Sequence, residues 1–224
     1  MNWFLNNTEY VGQLTLLHLL QSVIPVIAGT LIALPLARLA VGRRRDGRST
    51  AVATGAGKAR RGVVVNSAAL LYTVPSLALF VLMPVVLGTS ITSLLNVYVA
   101  LTLYVVAMMT RSAVDAFDSV SPVTLEAATA MGYRPTRRFW AVEMPLAVPV
   151  MLAGLRVALV SNISMVSVGA VIGIQSLGTL FTDGLRRDLP AEIIVGIVGI
   201  VLLALVLDRL LALVGKALTR WRAA

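Results

Sequence analysis

Apolar residues in this chain neither alternate with a period of two nor form one stripe along otherwise polar helices. They run in stretches of about 20 residues or more, and a helix of that length spans the roughly 30 Å hydrocarbon core of a bilayer. The pattern predicts five such helices, covering about Leu16 to Val41, Val63 to Leu87, Leu94 to Phe117, Pro145 to Ile172 and Ala191 to Leu213. A bundle that folds in water needs polar stripes on its helices, and these stretches mostly lack them. The predicted fold is therefore all-α: a polytopic membrane protein with about five transmembrane helices. It forms a single transmembrane domain over residues 1–224, with its core at about 16–213.

Several spans contain proline: Pro25 and Pro35 in the first, Pro75 and Pro84 in the second, and Pro145 and Pro149 at the start of the fourth. A carbonyl freed by proline can be satisfied by a neighbouring helix or by water in a cavity. Kinked spans suit a protein that lines a pathway, although proline is also common in membrane helices generally.

Composition supports the membrane reading, with 58% hydrophobic residues and a mean hydropathy of +0.89. The net charge of +9 is high enough to suggest nucleic acid, but its distribution excludes that partner. The basic residues cluster in three segments: Arg43, Arg44, Arg45, Arg48, Lys58, Arg60 and Arg61; then Arg134, Arg137 and Arg138; then Lys216, Arg220 and Arg222. Gly88 to Ser93 carries no charge, and Arg186 and Arg187 are offset by Asp183, Asp188 and Glu192. Positive charge marks cytoplasmic loops. The expected topology puts the N-terminus outside and the C-terminus inside. There is no cysteine and only one histidine, His18, expected near the outer surface, so thiol, metal and triad chemistry have no basis. Met1 to Tyr10 lack a basic region and a small-residue cleavage site, so no cleavable leader is expected.

Residues 42–62 read as a flexible cytoplasmic loop, rich in small residues and arginine, that touches lipid headgroups or a partner. Gly55-Ala56-Gly57-Lys58 fails as a phosphate loop, because Val52 stands where the first glycine belongs and Ala59 where Ser or Thr belongs. The chain is not expected to bind ATP itself.

The loop of residues 119–144 is the informative one. Ser121 suits a helix N-cap, Pro122 the first helical position, and Gly132 the left-handed residue past the helix end. A helix of about ten residues fits between them, too short to span a membrane. Its alanines allow close approach to another surface, and Glu126 offers a charged rim contact. It is either a docking helix or an amphipathic connector on the membrane surface.

The segment resembles the EAA loop of the inner-membrane components of binding-protein-dependent ABC importers. The family pattern is Glu-Ala-Ala, three residues, Gly, nine residues, Ile, one residue, Leu-Pro. Here Glu126-Ala127-Ala128 is followed by Gly132 at that spacing, with Val142 for Ile, Met144 for Leu, and Pro145 in place. The resemblance implies a type I importer permease in a bacterial cell membrane. Its partners would be ABC ATPase subunits that bind the ATP, a second permease subunit (the same chain or another), an external substrate-binding protein and membrane lipid. Glu126, Ala127, Ala128 and Gly132 would form the coupling contact with the ATPase.

Thr73-Val74-Pro75-Ser76-Leu77-Ala78-Leu79 is similar to a stretch of the permeases for glycine betaine, choline and carnitine. Ile172 to Gly178 resembles their Ile-Gly-Ala-Gly-Gly-Leu-Gly turn, with Gln175 and Ser176 in place of two glycines. The resemblance implies an osmoprotectant solute; an amino acid is the alternative. The external binding protein would carry most of the aromatic cage for a quaternary ammonium, since this chain is only 6% aromatic.

Tyr72, Thr73, Pro75, Ser76 and Asn162 are the candidate pathway or packing residues. Phe80, Tyr98 and Tyr104 are further intramembrane aromatics, and Ser161, Ser164 and Ser167 add polar atoms to the fourth span. Arg156, deep in that span, lines a path or pairs with a carboxylate. Gly169 and Gly173 are spaced for close helix packing. Arg111 and Asp115 are spaced to pair on one helix face. A stand-alone secondary transporter would need mid-membrane carboxylates for ion coupling, and none is expected inside the spans.

Overall fold

The computed structural model describes residues 2–41 and 55–222, and every regular element among them is helical. The elements in chain order are α1 (Asn2–Asn6), α2 (Thr8–Val41), α3 (Gly55–Thr73), α4 (Ser76–Leu87), α5 (Leu94–Asp118), α6 (Pro122–Ala130), α7 (Pro135–Arg138), α8 (Met144–Val168), α9 (Thr179–Arg187) and α10 (Pro190–Leu218). A π-helical turn, Phe139–Glu143, joins α7 to α8, and a 3-10 turn, Gly169–Ile172, ends α8.

Four helical stretches are long and apolar enough to cross a bilayer: α2, α5, the run Pro135–Ile172 and α10. The first begins at Thr8, well before Leu16, and the last continues to Leu218, past Leu213. Residues 42–54 of the expected flexible loop lie outside the described residues. The rest of that loop is not a loop, because α3 starts at Gly55.

The second apolar stretch departs most from expectation. It is two helices, α3 and α4, bent by 101° at Val74 and Pro75. Proline lacks an N–H and forces the residue before it out of the helical region. Pro75 itself sits at φ −58° and ψ 133°, outside the helical region, as the residue that precedes α4. Tyr104 on α5 donates its hydroxyl to the carbonyl of Val74 and so satisfies a group that the break leaves without a helical partner. Pro84, by contrast, stays within α4, and its carbonyl accepts the N–H groups of Gly88 and Thr89 as the helix ends. With 12 residues α4 is about 18 Å long, too short to cross alone.

The fourth stretch starts at Pro135 rather than Pro145, through the π turn. The Met144 N–H reaches the Phe139 carbonyl five residues back. Pro145 has no N–H to give to the carbonyl four residues back and its ring crowds that carbonyl, so a wider turn ahead of it relieves the conflict.

The main core packs α2, α5 and α8 around Met109, Ala113, Phe117, Ala158 and Ile163. α5 is its axis, 56% buried along its apolar stretch, whereas α10 is 11% buried. The apolar face of α10, with Ile194, Val198, Leu202 and Leu205 exposed, is left to lipid or to another membrane helix. Close approach is set by small residues elsewhere than expected: a Cβ on Gly154 would lie 2.4 Å from the Ser112 Cβ, so α8 meets α5 there. Gly169 opens the 3-10 turn, and Gly173 ends it at φ +89°, a conformation that favours glycine. Gly169 packs near Val97 of α5, at ordinary contact distance for a Cβ, whereas Gly173 lies past the helix in a left-handed conformation.

Candidate functional site

The short helix between the third and fourth spans takes the bounds its punctuation predicts. Ser121 stands at the N-cap position of α6, but its side chain makes no capping hydrogen bond, and Pro122 takes the first turn. At the far end Gly132 adopts φ +85°. The Gly132 N–H donates to the Thr129 carbonyl and the Tyr133 N–H to the Ala128 carbonyl, the paired bonds of a Schellman stop. Leu125 and Ala128 face the protein and are buried. Glu126, Ala127 and Gly132 are exposed. Beside them Val123 and Met131 are 72% and 71% exposed, large apolar groups with no cover. Three of the four sequence-derived coupling residues therefore share an open surface, and Ala128 anchors the helix from beneath.

That helix is tied to the rest of the chain by polar contacts that sequence reasoning missed. Arg138, the last residue of α7, donates from Nη1 to the Thr129 hydroxyl at 2.6 Å. Phe139 follows it, with its ring 5.7 Å from Phe117 at the end of α5 and 4.5 Å below the Arg38 guanidinium. Arg38, near the end of α2, also donates to the Glu143 carboxylate at 2.8 Å, and the Glu143 side chain is wholly buried. Arg61 on α3 pairs with Asp118 at 2.5 Å. The basic segments around Arg61 and Arg138 are thus both tied to the region between the end of α5 and α6. Arg38 and Glu143 had a signal: each is a lone charge in an apolar run, and the two signs match.

The candidate pathway residues divide. Tyr72 is exposed at the end of α3 and, with Val160, Ser161, Ser164, Met165 and Val168, lines an open cavity of about 400 Å³. Thr73 and Pro75 are exposed at the bend beside it, and Ser76 is half-buried. Asn162 faces the other way, fully buried, and donates to the Ser22 carbonyl on α2 at 2.7 Å. Phe80 and Tyr104 are buried; the Tyr104 ring meets Tyr72 edge-on at 6.2 Å. A larger hollow of about 690 Å³, between α1, α2 and α10, is lined almost wholly by apolar groups such as Phe4, Val11 and Ile194. It suits an acyl chain, not a polar solute.

Two expectations about charge need correcting. The spans do contain carboxylates: Glu143 in the fourth, paired with Arg38, and Asp208 on α10, paired with Arg156 by two hydrogen bonds of 2.7 and 2.6 Å. Arg111 and Asp115 make no ion pair with each other. His18 is not near a surface but fully buried, with Nε2 3.0 Å from the Ile163 carbonyl. Gln175 and Ser176, which replace two glycines of the resembled turn, need no glycine conformation, since neither has positive φ. The Gln175 carbonyl instead accepts a hydrogen bond from Gln21 at 2.8 Å.

The described residues thus form a helical bundle of apolar spans, with an exposed short helix between the third and fourth spans and a groove beside the bend of the second. The chain belongs to the family of binding-protein-dependent transport system inner membrane components, whose match covers residues 47–220. It is 35% identical to an osmoprotectant import permease of Salmonella typhimurium, over 94% of this chain and 93% of that one. It is 31% identical to a choline transport system permease of Bacillus subtilis, over 90% of this chain and 85% of that one. Among solved structures, an inward-facing methionine ABC transporter shares the fold, with a TM-score of 0.75 at 20% identity, covering 96% of this chain and 97% of that one. As a family member the chain is the membrane component of a system that also has an ATPase and a binding protein, and it carries no enzyme chemistry itself.

Proposed function

We propose that this chain is the permease of an ATP-driven importer for osmoprotectants: glycine betaine, choline, carnitine or a related quaternary ammonium solute. The observation that carries the substrate class is the 35% identity to an osmoprotectant import permease over nearly the whole chain. The groove beside the α3–α4 bend supports it, since Tyr72 and two serines offer an aromatic face and hydroxyls without a net charge to repel a cation.

In this reading Glu126, Ala127, Ala128 and Gly132 dock α6 on the ATPase subunit, and nucleotide-driven movement of that partner displaces the helix. Tyr72, Thr73, Pro75 and Ser76 form one wall of the path, and Asn162 packs the wall against α2. A second permease subunit, of the same or another chain, supplies the opposite wall, because the groove is open on one side. Lipid covers the outer face of α10. With α3–α4 counted as one broken crossing, five crossings put the basic segments inside, with the C-terminus, and the N-terminus outside.

The test is reconstitution in proteoliposomes with the cognate ATPase and binding protein. Uptake of labelled glycine betaine or choline, with hydrolysis stimulated by the loaded binding protein, is the expected result. Stimulation by amino acids alone overturns the substrate class. If Glu126→Lys leaves both assembly and stimulated hydrolysis intact, the coupling assignment is wrong.

A further inference from the structure

α2 is one continuous helix of 34 residues with polar contacts to the rest of the chain near its C-terminal end and around its middle. At the inner end Arg38 meets Glu143, whose side chain is 0% exposed, and lies over Phe139 at 4.5 Å. Phe139 and Glu143 bound the π turn that follows directly on Arg138, and Arg138 holds the Thr129 hydroxyl of α6. Seventeen residues earlier, about 26 Å along the helix, Gln21 donates to the Gln175 carbonyl in the turn between α8 and α9. His18 and Ser22 fasten the same part of α2 to Ile163 and Asn162. One helix therefore joins the junction ahead of α8 to the turn that follows it.

We propose that α2 is the strut by which displacement of α6 reaches the turn at Gln175, with Glu143 and Arg38 as the inner positioning pair and Gln21 as the outer positioning residue. This rests on the reading of α6 as the ATPase-docking helix. The contacts have the right chemistry for the task. A partly buried ion pair and a partly buried amide hydrogen bond are directional and weaken with displacement, so movement at one end must be followed or the contacts must break. The π turn supplies the compliant joint, being a register that can shift by one residue without ending the helix. Coupling of this kind travels through contiguous packed and hydrogen-bonded elements.

The experiment compares Glu143→Gln, Gln21→Met and the double variant, each reconstituted with the cognate ATPase and binding protein and supplied with labelled glycine betaine. Both residues lie outside the docking face and the groove, so assembly and hydrolysis should stay within about twofold of the parent. Solute moved per ATP hydrolysed should fall roughly tenfold in each single variant, the usual scale of coupling between sites. Because both substitutions cut the same strut, the double variant should lose no more than the worse single one. The proposal is overturned if Gln21→Met keeps the parental ratio of solute to ATP, or if the two losses multiply. If Glu143→Gln does not accumulate, Gln21→Met alone decides. Glu126→Lys is run in parallel: if it is harmless, the docking assignment fails, whereas a disruptive Glu126→Lys beside a fully coupled Gln21→Met sinks the strut alone.

Discussion

The hydroxyl of Tyr104, buried on α5, donates to the carbonyl of Val74, the residue at which the second apolar stretch breaks. The carbonyl at the bend beside the groove thus takes its hydrogen bond from a side chain of the central helix. Tyr104→Phe keeps the ring against Tyr72 but leaves that carbonyl without its donor. An unmet buried carbonyl costs about 1–3 kcal/mol. The expected result is a lower thermal midpoint in detergent, by a few degrees, together with slower solute uptake; unchanged values for both would show that the bend needs no such anchor.

Gly132 ends α6 at φ +85°. A β-branched residue is strained there by about 1–2 kcal/mol, and the Schellman bonds that close the helix are weakened with it. Gly132→Val should therefore reduce the amount of ATPase that co-purifies with the permease, while the level of permease in the membrane stays near that of the parent. Pull-down against a tagged ATPase measures this directly.

Arg156 and Asp208 form a bidentate pair between α8 and α10 inside the span region. Removing one member leaves an unpaired charge at a depth where charge is disfavoured. Arg156→Leu and Asp208→Leu should each accumulate poorly in the membrane, and the double variant should accumulate better than either. Quantitative blotting of membrane fractions provides the comparison, and a double variant no better than the singles would show that the pair acts by more than mutual neutralisation.

Ser164 is exposed on the groove wall facing Tyr72. Ser164→Phe fills part of that space without touching the core or α6. Uptake should drop severalfold with ATPase assembly intact, and wild-type uptake would place the path elsewhere.

The short helix α6 was legible in the sequence because each of its signals is local. A proline at 122 and a glycine at 132 act within one or two turns and the structure uses both, whereas Ser121 marks the start without a side-chain cap. The broken second span was half legible. Pro75 announced a disturbance, but whether a proline kinks a helix, as Pro84 is tolerated within α4, or breaks it by 101° depends on what receives the freed carbonyl. That receiver, Tyr104, lies 30 residues away in sequence.

By itself the sequence determined that the chain lives in a bilayer, where its apolar stretches lie, and where a short helix stands between the third and fourth spans. Hydrophobic runs, proline, glycine and caps act over a few residues, so order along the chain is enough to read them. Tertiary structure decided what the isolated polar residues do. Arg38 and Glu143 stand 105 residues apart, and Gln21 and Gln175 154 apart. In an apolar interior a lone polar group must find whatever partner packing brings near, and no local rule says which one that is.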